Sequence, residues 1–181
     1  MRWGMITLAL IVLVLPASPQ AGKSKDEYFI KAGLVMRFLK FVDWPEESHR
    51  DRIVIGVVGR DTGIVELFER LIEKRGKHKI IRGKELVIQD FGRFKKDLTF
   101  DGCDLLFIGS TEKRHLEKIL KLLDQSQVLT ISEIDGFLET GGMINLKLEK
   151  EKVIYEINQT QARKHGLRVS SHLLGRATRV L

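Results

Sequence analysis

The spacing of apolar positions predicts a long helix near the start of the chain. Residues 25–42 contain no proline, and apolar side chains recur at positions 28, 32, 35, 39 and 42. This spacing places them on one helical face. Further apolar residues at 30, 34, 38 and 41 widen that face, so we expect the helix to be buried on more than one side. Trp44 and Pro45 end it, because a residue before proline is displaced from helical geometry.

Strands and helices alternate along the rest of the chain. The pattern predicts strands at 53–59, 85–89, 104–109 and 128–132, and helices at 62–75, 112–124 and 170–180. It also predicts a short helix or turn at 91–98, a hairpin at 143–148 and 152–158, and a helical turn at 160–165. We therefore expect a single α/β domain with a mixed, partly parallel sheet flanked by helices, and a C-terminal β-hairpin that supplies antiparallel edge strands.

The first 21 residues have the pattern of a signal peptide. Residues 3–15 are apolar apart from Gly4 and Thr7, and a segment rich in proline and alanine follows them. The run is shorter than the roughly 20 residues that a membrane-spanning helix needs. We expect cleavage after Ala21, which divides the chain into a signal peptide at 1–21 and an exported domain at 22–181. An uncleaved N-terminal anchor is the alternative.

Composition and charge exclude several classes of protein. The 181 residues carry a formal charge of +7, which in an exported protein favours lipid headgroups, anionic ligands or acidic protein surfaces. The basic residues are dispersed among acidic ones and no RNA-binding aromatic motif occurs, so we expect no nucleic-acid partner. The single cysteine, Cys103, excludes an intrachain disulfide and a four-thiolate zinc site. It opens an apolar strand, which favours a buried side chain over a reactive thiol.

The sequence contains no recognisable catalytic motif. The glycines at 56, 59 and 63 lack dinucleotide-binding spacing, no phosphate loop is complete, and neither HExxH nor Gly-x-Ser-x-Gly occurs. The five histidines are scattered, and only His165 and His172 lie close in sequence. We expect no enzyme activity, no metal site and no cofactor.

Several polar residues are candidates for binding a ligand or a partner. One group follows the ends of predicted strands: Gly59, Arg60, Asp61, Gly109, Ser110, Thr111, Ser132 and Glu133. Ligands of parallel sheets bind at this edge, but the same residue types form ordinary strand-to-helix caps. The second group, in the C-terminal half, is Gly141, Gly142, Asn145, Asn158, Ser170, Ser171 and His172. These residues could line one pocket, or the glycines could shape a turn, the asparagines tie off strands and the serines cap a helix.

The wide apolar surface of the first helix is a candidate subunit interface. We expect a homodimer that uses Leu34, Phe38, Phe41 and Trp44. The alternative is that these side chains belong to the core of one chain.

The order of several short segments resembles the YfiR-like family of periplasmic proteins. The segments are KA at 31–32, KFVDWP at 40–45, CDLLFI at 103–108, VLTIS at 128–132, GF at 136–137, GGMIN at 141–145, EIN at 156–158, Ala162, GL at 166–167 and SSHLL at 170–174. The resemblance extends from about Tyr28 to Val180.

This resemblance implies a small periplasmic regulator that dimerises and binds the periplasmic domain of an inner-membrane diguanylate cyclase. By repressing the cyclase, such a regulator lowers cyclic-di-GMP and biofilm formation. Some family members carry disulfides linked to redox control, which this chain cannot form with Cys103 alone. The alternatives are a small-ligand binding protein that serves another membrane sensor and, with less support, an exported hydrolase of unrecognised type.

Overall fold

Helices account for a large part of the chain that the structure describes. The structure is a computed structural model that describes residues 25–44, 51–60, 63–74 and 80–181, so the predicted signal peptide lies outside the described residues. The helices are α1 (Lys25–Phe41), α2 (Ile64–Lys74), α3 (Leu116–Leu122), α4 (Gln159–Lys164) and α5 (Ser171–Leu174). A 3-10 helix, Ser110–His115, leads directly into α3.

The strands form one large mixed sheet and one small antiparallel pair. They are β1 (Val42–Asp43), β2 (Arg52–Val58), β3 (Ile80–Ile81), β4 (Lys84–Gly92), β5 (Leu105–Ile108), β6 (Leu129–Ser132), β7 (Ile144–Glu149), β8 (Lys152–Ile157), β9 (Arg168–Val169) and β10 (Arg179–Val180). The eight-stranded sheet has the order β10-β8-β7-β6-β5-β2-β4-β3, and β1 pairs with β9. Strands β4, β2, β5, β6 and β7 run parallel, whereas β7 and β8 form the antiparallel hairpin. The predicted α/β fold is confirmed.

Helices cover both faces of the sheet, because its central strands are apolar on both sides. Leu105 and Phe107 of β5 belong to the core that contains α1 and α2. Leu106 and Ile108 belong to a second core with α3. Successive side chains of a strand point to opposite faces, so the continuous apolar run in β5 requires a helical layer on each side.

The structure corrects the expected role of two residues of the interface prediction. Phe38 is fully buried and its ring meets that of Tyr155 edge to face, with centroids 5.1 Å apart. Trp44 is 6% exposed and its Nε1 donates to the backbone oxygen of Asp104 at 3.2 Å. Both side chains belong to the core of the chain, because α1 packs across the sheet. Leu34 and Phe41 are half-buried against this core.

The C-terminal segment differs from the single helix predicted at 170–180. Only Ser171–Leu174 is helical, and the chain then returns to the sheet as β10, parallel to β8. The backbone N–H of Thr178 donates to Tyr155 O, and that of Leu181 donates to Ile157 O, both at 2.9 Å. The open edge of β8 supplies these partners, and the hairpin is therefore not the edge of the sheet.

Segment 91–98 also differs from its prediction as a short helix or turn. Its first two residues extend β4, and a turn follows at 96–97. Gly92 pairs with Val58 of β2 after a register shift, so the neighbouring strand explains the longer β4. The two-residue strands β1, β3, β9 and β10 are too short to leave a periodic pattern in the sequence.

Candidate functional site

The parallel strands end along one edge of the sheet. The chain leaves β2, forms β4 on one side of it and then returns to form β5 on the other side, so the strand order reverses between β2 and β5. In open α/β sheets, ligands bind in the crevice outside the carboxyl ends of the strands, at this reversal point. The polar residues at this edge are therefore candidates for ligand binding.

The strand-end residues near the reversal point lie together as expected. The backbone N–H of Arg60 donates to Thr111 Oγ1 at 3.0 Å, and that of Gly59 donates to Gly92 O at 2.7 Å. Gly59 has a φ of +114°, and a side chain there would also crowd Thr111 and Gly109. These contacts give the residues roles in the loops themselves. Asp61 lies outside the described residues.

A glutamate and a histidine form a pair on the 3-10 helix beside this point. Glu112 is buried and its Oε2 lies 2.8 Å from Nδ1 of the half-buried His115. The His115 ring lies against Phe94, with centroids 5.3 Å apart. Sequence reasoning counted His115 among scattered histidines, although the three-residue spacing of Glu112 and His115 signals a pair on one helical face.

A buried cluster of charges lies at the end of β6, a position where sequence reasoning named only Glu133. Lys31 of α1 is 2% exposed and its ammonium contacts the carboxylates of Glu27 and, at 2.5 Å, Glu133. The Tyr28 hydroxyl donates to Glu133 Oε1 at 3.4 Å. We call Glu27, Lys31 and Glu133 the charge triad. Removing charges from water costs several kcal/mol per ion unless they are paired, so the close contacts around Lys31 are what allow the triad to be buried.

The charge triad borders a small open pocket of about 290 Å³. The pocket is lined by acidic and basic side chains and by two leucines, namely Glu27, Lys31, Glu133, Asp135, Leu146, Lys147, Leu148 and Glu149. Drug-sized ligands occupy pockets of roughly 300 to 1,000 Å³, so this pocket suits a small polar molecule. Groups of both charges suit a molecule that carries both an ammonium and a carboxylate group.

The predicted residues around the hairpin have structural roles. Gly141 has a φ of +104°, and the backbone N–H of Gly142 donates to Phe137 O at 2.9 Å. Asn158 caps α4: its side chain accepts from the Gln161 backbone N–H at 2.8 Å and donates to Leu138 O. These contacts fit the interpretation in which the two glycines shape a turn and Asn158 holds the end of a strand.

Asn145 lies on β7, next to Ile144, which pairs with Ile157 beside Asn158. It is 1% exposed and pairs in register with Ser132 and Glu156 of the neighbouring strands. Its side-chain oxygen has no hydrogen-bond partner among the described residues. It is not among the residues lining the pocket beside the charge triad.

The predicted serines and histidine lie near the end of α1. Ser170 caps α5, and its backbone N–H donates to Phe41 O at 2.9 Å. Ser171 and His172 are exposed, and the His172 ring stacks on Phe41 with centroids 4.9 Å apart. Ser170, Ser171 and His172 therefore lie at the α1–α5 contact, whereas Gly141, Gly142, Asn145 and Asn158 lie around β7 and the start of α4.

Cys103 is 4% exposed, in agreement with its prediction as a buried side chain. It borders a cavity of about 270 Å³ between the loop before β5 and the loop after α3. In the part of the chain that the structure describes, no group of His, Cys, Asp and Glu residues could hold a metal ion. No described helix combines the length and the apolar character that crossing a membrane requires.

Solved structures share the fold of this chain. A conserved domain protein from Vibrio cholerae O1 biovar El Tor aligns with a TM-score of 0.55 and 18% identity, over 85% of this chain and 60% of that one. The ABC domain of a Streptococcus pneumoniae protein, solved in complex with L-Trp, aligns with a TM-score of 0.53 and 13% identity, over 71% and 56%. At these identities the likeness concerns the fold alone, and the chain spans less than two thirds of either structure.

The sequence comparisons identify the family. Among curated proteins, none matches the chain. The family model described as YfiR/HmsC-like matches residues 28–178, which cover the described core from α1 to the segment before β10. The chain therefore belongs to the YfiR/HmsC-like family.

Proposed function

We propose that this protein binds and represses an inner-membrane diguanylate cyclase from the periplasm, and thereby lowers cyclic-di-GMP and biofilm formation. The observation that carries the proposal is the family match over residues 28–178. The family is one of periplasmic regulators of cyclic-di-GMP signalling that interact with membrane signalling proteins and are not known enzymes. The proposal adds two steps to the family match: the partner is a diguanylate cyclase, and the effect of binding is repression.

Export through a cleaved signal peptide is part of the same proposal. The apolar run at residues 3–15 and the small residues before position 22 support cleavage after Ala21. Mass spectrometry of protein recovered from the periplasm should give a chain that starts at Gly22. A membrane-bound chain that retains Met1 would contradict the proposal and indicate an anchored domain.

The surface where α1 meets α5 is our candidate for partner contact. Ser171 and His172 are exposed there, and Phe41 is half-buried beneath the His172 ring. Among the other predicted binding residues of the C-terminal half, Gly142 and Asn145 are buried, Gly141 is half-buried, and Asn158 and Ser170 cap helices, so Ser171 and His172 are the most exposed ones. We also propose a homodimer through the exposed side of α1, which carries Phe29 and Ile30, 43% and 49% exposed, close in sequence to Leu34.

Deletion and co-purification together test the repressor function. Loss of the gene should raise cyclic-di-GMP, and the tagged protein should retain a diguanylate cyclase from solubilised membranes. His172→Asp should weaken retention, whereas Gln125→Asp, a matched change at another exposed position, should not. Unchanged cyclic-di-GMP together with no retained cyclase would refute the proposal.

A periplasmic small-ligand binding protein that serves another membrane sensor is the second candidate. It is favoured by the pocket beside the charge triad, whose lining includes Asp135 and Lys147. It is also favoured by the shared fold of the Streptococcus pneumoniae domain, which was solved with L-Trp. A small molecule that co-elutes with the purified protein, and whose binding Asp135→Asn and Lys147→Gln weaken, would support this candidate. Native mass spectrometry is the direct measurement.

A further inference from the structure

Basic side chains from three separate segments gather at the carboxyl edge of β4, β2 and β5. They are Arg60 after β2, Arg93, Lys95 and Lys96 after β4, and Lys113 and Arg114 of the 3-10 helix after β5, and all are exposed. We call this set the basic rim. Because parallel strands end at the same edge, residues distant in sequence come together there.

Hydrogen bonds and one ring contact hold these segments side by side. The Gly59 N–H donates to Gly92 O at 2.7 Å, which joins the end of β2 to the end of β4. The Arg60 N–H donates to Thr111 Oγ1 at 3.0 Å, which joins the β2 end to the 3-10 helix. The contact between the Phe94 and His115 rings joins the loop after β4 to the 3-10 helix. The basic rim is therefore one surface.

The acidic residues of these segments neutralise the basic rim only in part. Glu112 is buried and contacts His115. Asp90 is exposed, and its Oδ1 accepts from the backbone N–H of Gly92 at 2.8 Å. Asp97 is exposed and directly follows Lys96. The six basic residues outnumber the four acidic residues of these segments, which are Asp61, Asp90, Asp97 and Glu112, and Asp61 lies outside the described residues.

We propose that the basic rim binds the anionic headgroups of a phospholipid bilayer. Its charges stand on separate loops as long, exposed lysine and arginine side chains, and the half-buried Phe94 lies between Arg93 and Lys95. Exposed basic residues suit a headgroup layer, which requires charge and area but no fixed shape, whereas the Phe94 ring packs against His115 and the core. An acidic protein partner would also require a complementary surface geometry. Membrane contact would orient the protein on the bilayer independently of any cyclase.

Vesicle co-sedimentation of the exported protein tests the membrane proposal. The protein should bind phosphatidylglycerol-containing vesicles, lose binding as salt rises, and bind pure phosphatidylcholine vesicles far more weakly. Lys95→Gln with Lys96→Gln should lower the partition coefficient by about tenfold or more, because each basic residue near an anionic surface contributes about fivefold. Lys113→Gln with Arg114→Gln should act in the same way.

A variant with the same loss of charge elsewhere is the matched control. Lys40→Gln with Arg168→Gln removes two exposed charges near the β1–β9 pair. This region adjoins the opposite edge of the sheet, because Trp44 bonds to Asp104 just before β5. The control should bind vesicles as the unmodified protein does, and circular dichroism should show that all variants fold alike.

Three outcomes would overturn the proposal. Equal loss of binding in the control would mean that net charge alone attracts the protein to vesicles. Equal binding to anionic and neutral vesicles would mean that the basic rim does not recognise headgroups. Basic-rim variants that bind vesicles normally but lose a co-purified protein would assign the basic rim to an acidic protein partner. Because no cyclase is present in the vesicles, these results are independent of the repressor function.

Discussion

Gly142 is a position where the tertiary structure excludes any side chain. A Cβ atom there would lie 2.3 Å from the Phe137 ring, which is fully buried. We expect Gly142→Ala to lower the free energy of unfolding by about 1 to 3 kcal/mol through overpacking. Urea denaturation measures this change.

Gly33 in α1 is the matched control for that substitution. It is exposed, and nothing lies within 4 Å of the position that a Cβ atom would occupy there. Alanine is the better helix former, so Gly33→Ala should raise the free energy of unfolding by up to about 1 kcal/mol. Equal effects of the two substitutions would contradict the packing account of Gly142.

The charge triad predicts a large and non-additive effect on stability. Lys31→Met would leave the carboxylates of Glu27 and Glu133 close together and buried. Breaking a buried ion pair from one side costs about 3 to 5 kcal/mol, so we expect a loss of stability of that size. Adding Glu133→Gln removes one of the two repelling carboxylates, and the double variant should be more stable than the sum of the single effects implies. Strict additivity in chemical denaturation would show that the three groups act separately.

The hydrogen bond between Arg179 and Glu139 at the edge of the sheet predicts that the stability of the fold depends on pH. Arg179 Nη2 donates to Glu139 Oε1 at 2.6 Å, and this hydrogen bond holds the pKa of Glu139 below its ordinary value. A carboxyl group whose pKa is lower in the folded state than in the unfolded state stabilises the fold at pH values above the unfolded-state pKa. This contribution is lost as the pH falls through the folded-state pKa. NMR titration of Arg179→Met should show the pKa of Glu139 returning upward. The pKa of Asp124, lowered by its hydrogen bond from Lys164, should stay unchanged in this variant.

At the scale of elements, α1 has a buried side and an exposed side that respond differently to charge. Phe38 is fully buried, so Phe38→Asp should abolish cooperative unfolding, because a charge in the core has no partner there. Ile30 is 49% exposed, so the Ile30→Asp chain should still fold and unfold cooperatively, losing mainly the stability that the dimer contact contributes. Circular dichroism melts measure both effects. Analytical ultracentrifugation then tests the interface, because a homodimer through this side should become a folded monomer in Ile30→Asp, and an unmodified monomer would refute the homodimer.

At the scale of the whole molecule, stability should not depend on oxidation. The chain has one cysteine, and Cys103 is 4% exposed beneath the surface, so neither an intrachain bridge nor an accessible thiol for a second chain is expected. The melting temperature should be the same with and without reductant. A covalent dimer on a non-reducing gel, absent in Cys103→Ala, would contradict this expectation.

Local patterns were sufficient for the long elements. The apolar spacing of α1, the β-branched run of β2 and the alternation of β7 and β8 placed these elements to within a few residues, because each repeats its pattern over several positions. The order of short segments also led to the family. The cap at Ser170 followed from residue type, since a serine side chain satisfies one of the first N–H groups of a helix, whereas Asn158 was expected to tie off a strand and also caps α4.

Only the tertiary structure decided which distant residues meet. The sequence did not show that Lys31 would lie between Glu27 and Glu133, because Glu133 is about a hundred positions further along the chain and its approach depends on how α1 crosses the sheet. It did not separate core from interface on α1, since a helix presents the same apolar residues to its own sheet or to a second subunit. It also could not place β10, whose two residues form a strand only because β8 leaves an edge open. Hydrogen-bond partners and packing neighbours of this kind are properties of the folded chain, and no local pattern encodes them.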